Sequence, residues 1–360
     1  MSELDAARSE IGRIDTEIAL LFERRMKAVE KIAAYKKENG LPIRDPAREE
    51  SLIARCREKI SDPAVQEQYV SFQRNVIDVS CSYQESLIRG RRIAYSGVEG
   101  AFAHIAARRL FPEARYVGFS GFEQAYRAVE NGECDCAVLP LENSYVGEVG
   151  SVMDLLFTGS LFINQVTELP VRHALIGLPG ASADSVRTVY SHPQALHQCE
   201  AYIRKRGLET VDCANTALAA KKVLELNDPS AAAVASEETA ELYGLQLLDN
   251  GIHDAANNTT RFAVLSRSQH RPARSGVRDN AGFILVFTVQ NKAGALAQTL
   301  NIIGAHGYNM KALRSRPMKD LQWNYYFYVE AEGNISGENG EMLMRELGAL
   351  CARLKLVGIY

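Results

Sequence analysis

ELDAARSEIGRIDTEIALLFERRMKAVEKIAAYKKEN, residues 3–39, has the pattern of one long amphipathic helix. Leu4, Ala7, Ile11, Ile14, Ile18, Leu21, Phe22, Ala28, Val29, Ile32 and Tyr35 recur at steps of three and four, the spacing that gathers side chains on one helical face. Asn39-Gly40 ends the pattern and Pro42 prevents its return. About 36 residues at 1.5 Å each make a rod of roughly 54 Å, longer than a small domain covers. Its apolar stripe therefore requires a helical hairpin or a partner chain, and a dimer is expected.

Polar residues collect around this helix. Arg25 and Lys36 lie about three turns apart and share a side. Across the Gly40–Pro42 turn, Asp45, Arg48 and Glu49 occupy i, i+3 and i+4 of a second helical pattern, and Ser80 with Gln84 repeats the i, i+4 step on a third. Any one of these charges reads most simply as a solvated helix face. Together they make a clamp for an anion.

As a set, residues 1 to about 88 resemble the all-helical chorismate mutases, which are intertwined dimers, through Arg8, Arg25, Lys36, Asp45, Arg48, Glu49, Ser80 and Gln84. The resemblance implies that Arg8 of a partner chain, with Arg25 and Arg48, holds the two carboxylates of chorismate. Lys36 and Gln84 would hydrogen-bond the ether oxygen, Glu49 and Asp45 would address the hydroxyl, and Ser80 belongs to the same binding set. The chemistry suits such a site. A Claisen rearrangement needs confinement in a chair-like geometry and stabilisation of developing charge, and arginine forks match carboxylates.

Composition sets the outer bounds. The 360 residues are 46% hydrophobic and 24% charged, with a formal charge of −3, ordinary for soluble globular domains and enough chain for two or three. No basic stripe interleaves with aromatics, so no nucleic-acid partner is expected. No run of about 18 apolar residues occurs and the N-terminus is polar and acidic, so no membrane span or signal sequence is expected and the cytoplasm is the expected compartment. The seven cysteines are scattered without a C-x-x-C pair, which points to reduced thiols and to no metal site.

Near Arg89-Gly90-Arg91-Arg92 the pattern changes to short apolar runs alternating with helices. Strands are expected at 92–96, 137–141, 162–169, 174–177, 188–191, 232–235 and 261–265, an α/β reading. A polar stretch rich in Ser, Arg, Pro and Gly, 269–280, reads as linker. The remainder runs strand 283–289, helix 295–306, strand 309–316, strand 323–330, helix 340–350 and strand 354–360, a βαββαβ order. The expected domains are thus 1–89, 90–268 and 281–360.

Polar motifs in the central region fall at strand ends, where α/β sheets place ligand crevices. Gly97-x-x-Gly100-Ala101-Phe102 opens a helix and offers backbone N–H groups to an anion, although glycine turns of this kind commonly bind nothing. Pro140-Leu141-Glu142-Asn143-Ser144 with Gly147 reads equally as turn chemistry. In Ser191-His192-Pro193-Gln194-Ala195-Leu196-His197-Gln198-Cys199, Ser191 suits a helix cap and Pro193 its first turn. Thr260 and Arg261 close the set, Arg261 being a natural carboxylate ligand.

Residues 91 to about 268 resemble the prephenate dehydratases through the P-x-E-N-S-x-x-G, S-H-P-Q-A-L-x-Q-C and T-R-F motifs. A two-lobed, periplasmic-binding-protein-like fold is implied, with prephenate in the cleft between lobes and Glu142, Asn143, Ser144, Ser191, His192, Gln198, Thr260 and Arg261 around it. Thr260 is implied to assist departure of the ring hydroxyl as carbon dioxide leaves, with Glu142 and His192 as alternative proton donors. No cofactor is implied. Ala101 departs from the family, which carries Ser or Thr there.

Residues 281–360 resemble ACT domains, ferredoxin-like α+β modules that bind amino acids at subunit interfaces. The Gly294-Ala295-Leu296-Ala297 motif implies an effector site of Gly294, Ala295, Leu296 and Asn309, with Ser315 and Arg316 from a second motif, and L-phenylalanine as effector. That second motif is altered: the family's Glu-Ser-Arg-Pro appears as Arg314-Ser315-Arg316-Pro317.

The chain thus reads as a multidomain bifunctional enzyme converting chorismate to prephenate and then to phenylpyruvate, a homodimer or higher oligomer under phenylalanine feedback. The alternatives are a dehydratase acting on arogenate and a non-catalytic amino-acid sensor.

Overall fold

The reciprocal cap at Ser2 starts the first helix: its Oγ accepts from Asp5 N at 3.1 Å while Asp5 accepts from Ser2 N at 3.0 Å. In this computed structural model, which describes residues 2–255, 257–269, 282–318 and 324–360, the helix α1 spans Glu3–Glu38. Helices α2 (Pro46–Arg57) and α3 (Pro63–Arg89) follow, each with an aspartate cap and proline in its first turn. Val29 and Ala33 of α1, Ile53 of α2, and Ile77 and Cys81 of α3 are buried. Leu4, Ile11, Ile14, Ile18, Leu21 and Phe22 are each at least 40% exposed, so the apolar stripe of α1 is covered by its own chain only toward its C-terminal end.

These helices make one compact unit, up to Arg91, and Arg92–Tyr360 makes the other. The second unit opens with β1 (Arg92–Ser96), α4 (Phe102–Leu110), β2 (Arg115–Phe119), α5 (Phe122–Glu130), β3 (Cys136–Asn143), β4 (Gly147–Glu148), α6 (Gly150–Thr158) and β5 (Phe162–Pro170). The chain then crosses to a second lobe: β6 (Ala174–Gly177), β7 (Thr188–Ser191), α7 (Pro193–His197), α8 (Glu200–Arg206), β8 (Glu209–Asp212), α9 (Thr216–Leu226), β9 (Ala231–Ala235), α10 (Glu237–Tyr243) and β10 (Gln246–Asp249). It returns as β11 (Thr259–Ser266). The second lobe is a five-stranded sheet, β10-β6-β9-β7-β8, whose central strand AAAVA is entirely buried. The two crossings run side by side, with Val171 N donating to Asn258 O at 2.8 Å and Ile252 N to His173 O at 3.1 Å.

The last segment is β12 (Gly282–Thr288), α11 (Ala295–Ala305), β13 (Asn309–Pro317), β14 (Tyr325–Glu332), α12 (Glu338–Leu350) and β15 (Arg353–Ile359), in βαββαβ order. It is not a detached module. Strand β15 pairs with β5, so one sheet runs β13-β14-β12-β15-β5-β11-β3-β1-β2, with β4 beside β3. Phe157 of α6 stacks on Tyr326 of β14 at 4.3 Å between centroids, and Lys355 donates to the carbonyls of Leu156, Gly159 and Leu161. That lysine closes the C-terminal end of α6.

The expected strands appear within two residues of their expected boundaries, the one expected from Trp323 beginning at Tyr325. Trp323 itself and 270–281, most of the expected linker, lie outside the described residues. Four strands were not legible: β2, β4, β8 and β10. β8 is exposed throughout, β4 has two residues, and β2 and β10 are only part-buried, so none shows a buried apolar run. Gly97-x-x-Gly100 also takes another role. Gly100 N donates to His104 Nδ1 and its carbonyl accepts from Thr239 Oγ1, while a Cβ at its φ of +86° would meet Tyr243, Ala217 and Leu242. The turn thus joins the lobes, with the backbone N and O of Gly100 already bonded.

Glu330 of β14 is 2% exposed and accepts from both Arg261 Nη1 at 3.0 Å and Nη2 at 2.6 Å, with Tyr360 as a further donor. Burial alone would raise its carboxyl, but Arg261 and Tyr360 more than offset this and hold it below its ordinary 4.5. A depressed carboxylate contributes stability fully present above the unfolded value and lost as pH falls through the folded one. Glu330→Gln is therefore expected to cost about 2 kcal/mol near neutrality by leaving Arg261 poorly paired, and to flatten the acid limb below about pH 4.5. Denaturation followed by amide-exchange protection of β14 across that range checks both.

Candidate active sites

Helices α1, α2 and α3, with the turn before α2, enclose a cavity of about 150 Å³. Arg25, Lys36, Asp45, Arg48, Glu49, Ser80 and Gln84 line it, over an apolar wall that includes Val29, Ile32, Leu52 and Ile77. All the sequence-predicted residues are brought together except Arg8, which sits on the exposed part of α1, about 25 Å before Arg25 along the axis. The cations here bond to neutral groups: Arg25 donates to Ser80 Oγ and Lys36 to Ile43 O. Burial pulls the Arg25 guanidinium below its ordinary value, the mark of a cation short of counter-charge.

Asp45 has a structural duty, accepting from Arg48 N at 3.1 Å as the cap of α2. Glu49 is held by Arg44, which also donates to Asp78 at 2.6 Å; this support from behind the cavity wall was not legible because Arg44's partners come from separate helices. Gln84 donates from Nε2 to Ser80 O at 3.3 Å, and its buried Oε1 has no partner. A half-satisfied amide in a cationic cavity is a place for a polar ligand.

Between the lobes of the second unit lies a cleft of about 340 Å³. Asn143, His192, Gln198 and Thr260 line it. The side chain of Asn143 organises the wall. Its Oδ1 accepts from Tyr145 N and Val146 N at 2.9 and 3.1 Å, so Nδ2 is the end that donates to Asn258 Oδ1 at 2.8 Å and Thr260 Oγ1 at 2.9 Å. Because Thr260 Oγ1 accepts there, its own proton is left to donate elsewhere.

Four sequence-predicted residues do not line the cleft. Ser144 Oγ donates to Asn257 O at 3.0 Å at the surface. Ser191 is buried and donates to Val234 O at 2.5 Å, while His192 is the cap of α7, accepting from Gln194 N at 3.2 Å. Arg261 turns to Glu330 and Glu142, and Glu142 turns to Arg314, because alternation along β11 and β3 points these side chains away from the face carrying Thr260 and Asn143. Arg261 thus spends its guanidinium on two carboxylates of its own chain and does not line the cleft.

The crossings supply what the sequence reading missed. His173 is 2% exposed, contacts Gln198 Oε1 through Nε2 at 2.8 Å and leaves Nδ1 without a partner; Asn258 leaves Nδ2 likewise unpaired. Burial holds the His173 imidazole below its ordinary value, so it is neutral. Neither residue sits in a strand-end motif, the signal used to pick the others. No lysine or arginine is among the described residues lining the cleft; instead the starts of α4, α7 and α9, at Ala101, His192 and Asn215, face it. Neutral donors and helix N-termini suit anions.

Of the sequence-predicted effector residues, Gly294 caps α11 with φ of 80°, followed by Ala295 and Leu296, and Asn309 Nδ2 donates to Glu332 at 2.8 Å. Ser315 and Arg316 fall on opposite faces of β13, and Arg316 is committed to Glu148 and Asp154 at 2.9 Å each. Arg316 therefore does not join the others.

The type II chorismate mutase family matches residues 7–85 and the prephenate dehydratase family residues 93–270. The bifunctional chorismate mutase/prephenate dehydratase of Enterobacter agglomerans is 33% identical over 99% of this chain and 95% of its own length. This chain belongs to the bifunctional chorismate mutase/prephenate dehydratase family. Among solved structures, the prephenate dehydratase of Arthrobacter aurescens in complex with L-Phe is 25% identical, with a TM-score of 0.68 over 75% of this chain and 89% of that one. GqqA, described as a novel type of quorum quenching acylase, is 33% identical with the same TM-score over 75% and 97%. The helical cavity falls inside the chorismate mutase match and the interlobe cleft inside the dehydratase match.

Thr260→Ala is expected to lower dehydratase kcat at least about 100-fold while chorismate turnover by the same protein stays within about twofold, and Arg25→Ala to do the reverse; paired assays on each variant decide. Ala101 caps α4 with no side-chain bond, so Ala101→Ser is expected to stabilise the second unit by about 1 kcal/mol in denaturant titration.

Proposed function

We propose that this chain converts chorismate to prephenate in the helical cavity and prephenate to phenylpyruvate in the interlobe cleft. The observation that carries the reading is the Asn143–Thr260 bond inside a cleft of neutral donors, standing in the same chain as a cavity of underpaired cations. In the cavity Arg25 and Arg48 take the carboxylates, with Arg8 supplied by a second copy packed on the exposed stripe of α1. Lys36 and Gln84 stabilise charge at the ether oxygen, and Glu49 and Asp45 address the hydroxyl. In the cleft Thr260, positioned by Asn143, directs its proton at the departing ring hydroxyl, while Gln198, His192 and the three helix N-termini hold the substrate.

The keto acid is favoured over arogenate. An ammonium group needs a free carboxylate, and Glu148, the one acid among the described residues of the cleft wall, is already paired with Arg314 and Arg316. Residues 281–360 act as an ACT domain, with L-phenylalanine bound near Gly294, Ala295, Leu296, Asn309 and Ser315; the L-Phe complex of the Arthrobacter aurescens enzyme supports this effector. The domains are 1–89, 90–268 and 281–360, the assembly is a homodimer or larger, and the compartment is the cytoplasm. Among the described residues no helix is long and apolar enough to cross a membrane.

Purified protein given chorismate is expected to consume it and release phenylpyruvate, with the second step slowed by millimolar phenylalanine. Accumulation of prephenate would defeat the dehydratase assignment. A kcat/KM for arogenate above that for prephenate would overturn the substrate preference.

A further inference from the structure

Resting on the dehydratase reading, we propose that Arg314 is a positioning residue for that reaction: from β13 it holds and neutralises Glu148 and Glu142, so that the cleft admits a dicarboxylate. Arg314 Nε meets Glu148 Oε2 at 3.1 Å and its Nη2 donates to Glu142 Oε1. Arg316 adds a bond to Glu148 Oε1 at 2.9 Å. The three partners are not surface groups; Arg314, Glu142 and Glu148 side chains are 19%, 27% and 28% exposed.

Location gives this cluster its consequence. Glu142 and Glu148 bracket the turn that begins at Asn143, the last residue of β3, whose Nδ2 sets the Thr260 hydroxyl, and Glu148 itself lines the cleft. With no lysine or arginine among the described lining residues, the field felt by an incoming dianion depends on how fully this carboxylate is offset. Around it stand Glu142, Glu148, Asp154 and Glu330 against Arg261, Arg314 and Arg316. Glutamate at position 314, as in the Glu-Ser-Arg-Pro motif, would face two other carboxylates; arginine completes the pairing. The altered motif is thus a charge matched to Glu148.

The test is steady-state dehydratase kinetics of the full chain. Arg314→Gln is expected to raise KM for prephenate about tenfold with kcat within about twofold, and the penalty to shrink as salt rises. Adding Glu148→Gln to that variant is expected to return KM to near the wild-type value, and Arg314→Lys to fall between. Loss of packing alone would not be rescued by removing a carboxylate. Should Arg314→Gln fail to fold, Glu148→Gln alone still reads the effect, since its KM should equal or fall below wild type. An unchanged KM in Arg314→Gln, or a rise that Glu148→Gln does not relieve, overturns the inference while wild-type turnover leaves the dehydratase reading standing. A wild type inactive on prephenate overturns both.

Discussion

Seven charged side chains drawn from β3, β4, α6, β11, β13 and β14 are paired along one side of the long sheet, and the geometry of the dehydratase cleft depends on them. Glu330 is nearly sealed from solvent and its charge is tolerable only because Arg261 forks onto it and Tyr360 donates as well. Arg314 and Arg316 then tie β13 to Glu142, Glu148 and Asp154. An uncompensated carboxylate in this cluster would be costly, so the pairing sets the register in which the terminal βαββαβ segment meets the first lobe. A stacked Phe157–Tyr326 pair and Lys355 at the end of α6 complete the junction.

That junction lies one residue away from chemistry. Strand alternation places Glu142 on the paired face and Asn143 on the cleft face of β3, and does the same for Arg261 and Thr260 on β11. Each adjacent pair therefore has one member in the ion network and one in the cleft. Apart from Glu148, which lines the cleft, the charges support the site without entering it, and amide and hydroxyl groups, a neutral histidine and helix N-termini make up its polar wall. Such a surface suits an anion without offering the strong counter-charge that would hold an acidic product back.

The helical unit solves a similar problem by the opposite means. In its cavity Arg25 and Lys36 bond to neutral groups, and its long first helix leaves much of an apolar stripe uncovered. The first feature suits an anionic ligand, and the second leaves apolar side chains of α1 at the surface. For a reaction that needs only a confined conformer and charge stabilisation, preformed cations on rigid helices are sufficient machinery.

Three- and four-residue periodicity, caps and proline positions were enough to delimit α1, and strand-end motifs were enough to select Asn143, His192, Gln198 and Thr260, because these are local properties of the chain. Those motifs did not distinguish the two faces of a strand, so Glu142 and Arg261 were read into the cleft although neighbouring strands turn them to Glu330 and Arg314. His173 and Asn258 were invisible for a different reason: they sit on irregular crossings brought together only when two lobes pair. What Arg314 does was beyond the sequence as well, since its partners lie more than 160 residues earlier and meet it only because β15 docks on β5. Local chemistry was written in the chain; which charges face each other was decided by the sheet.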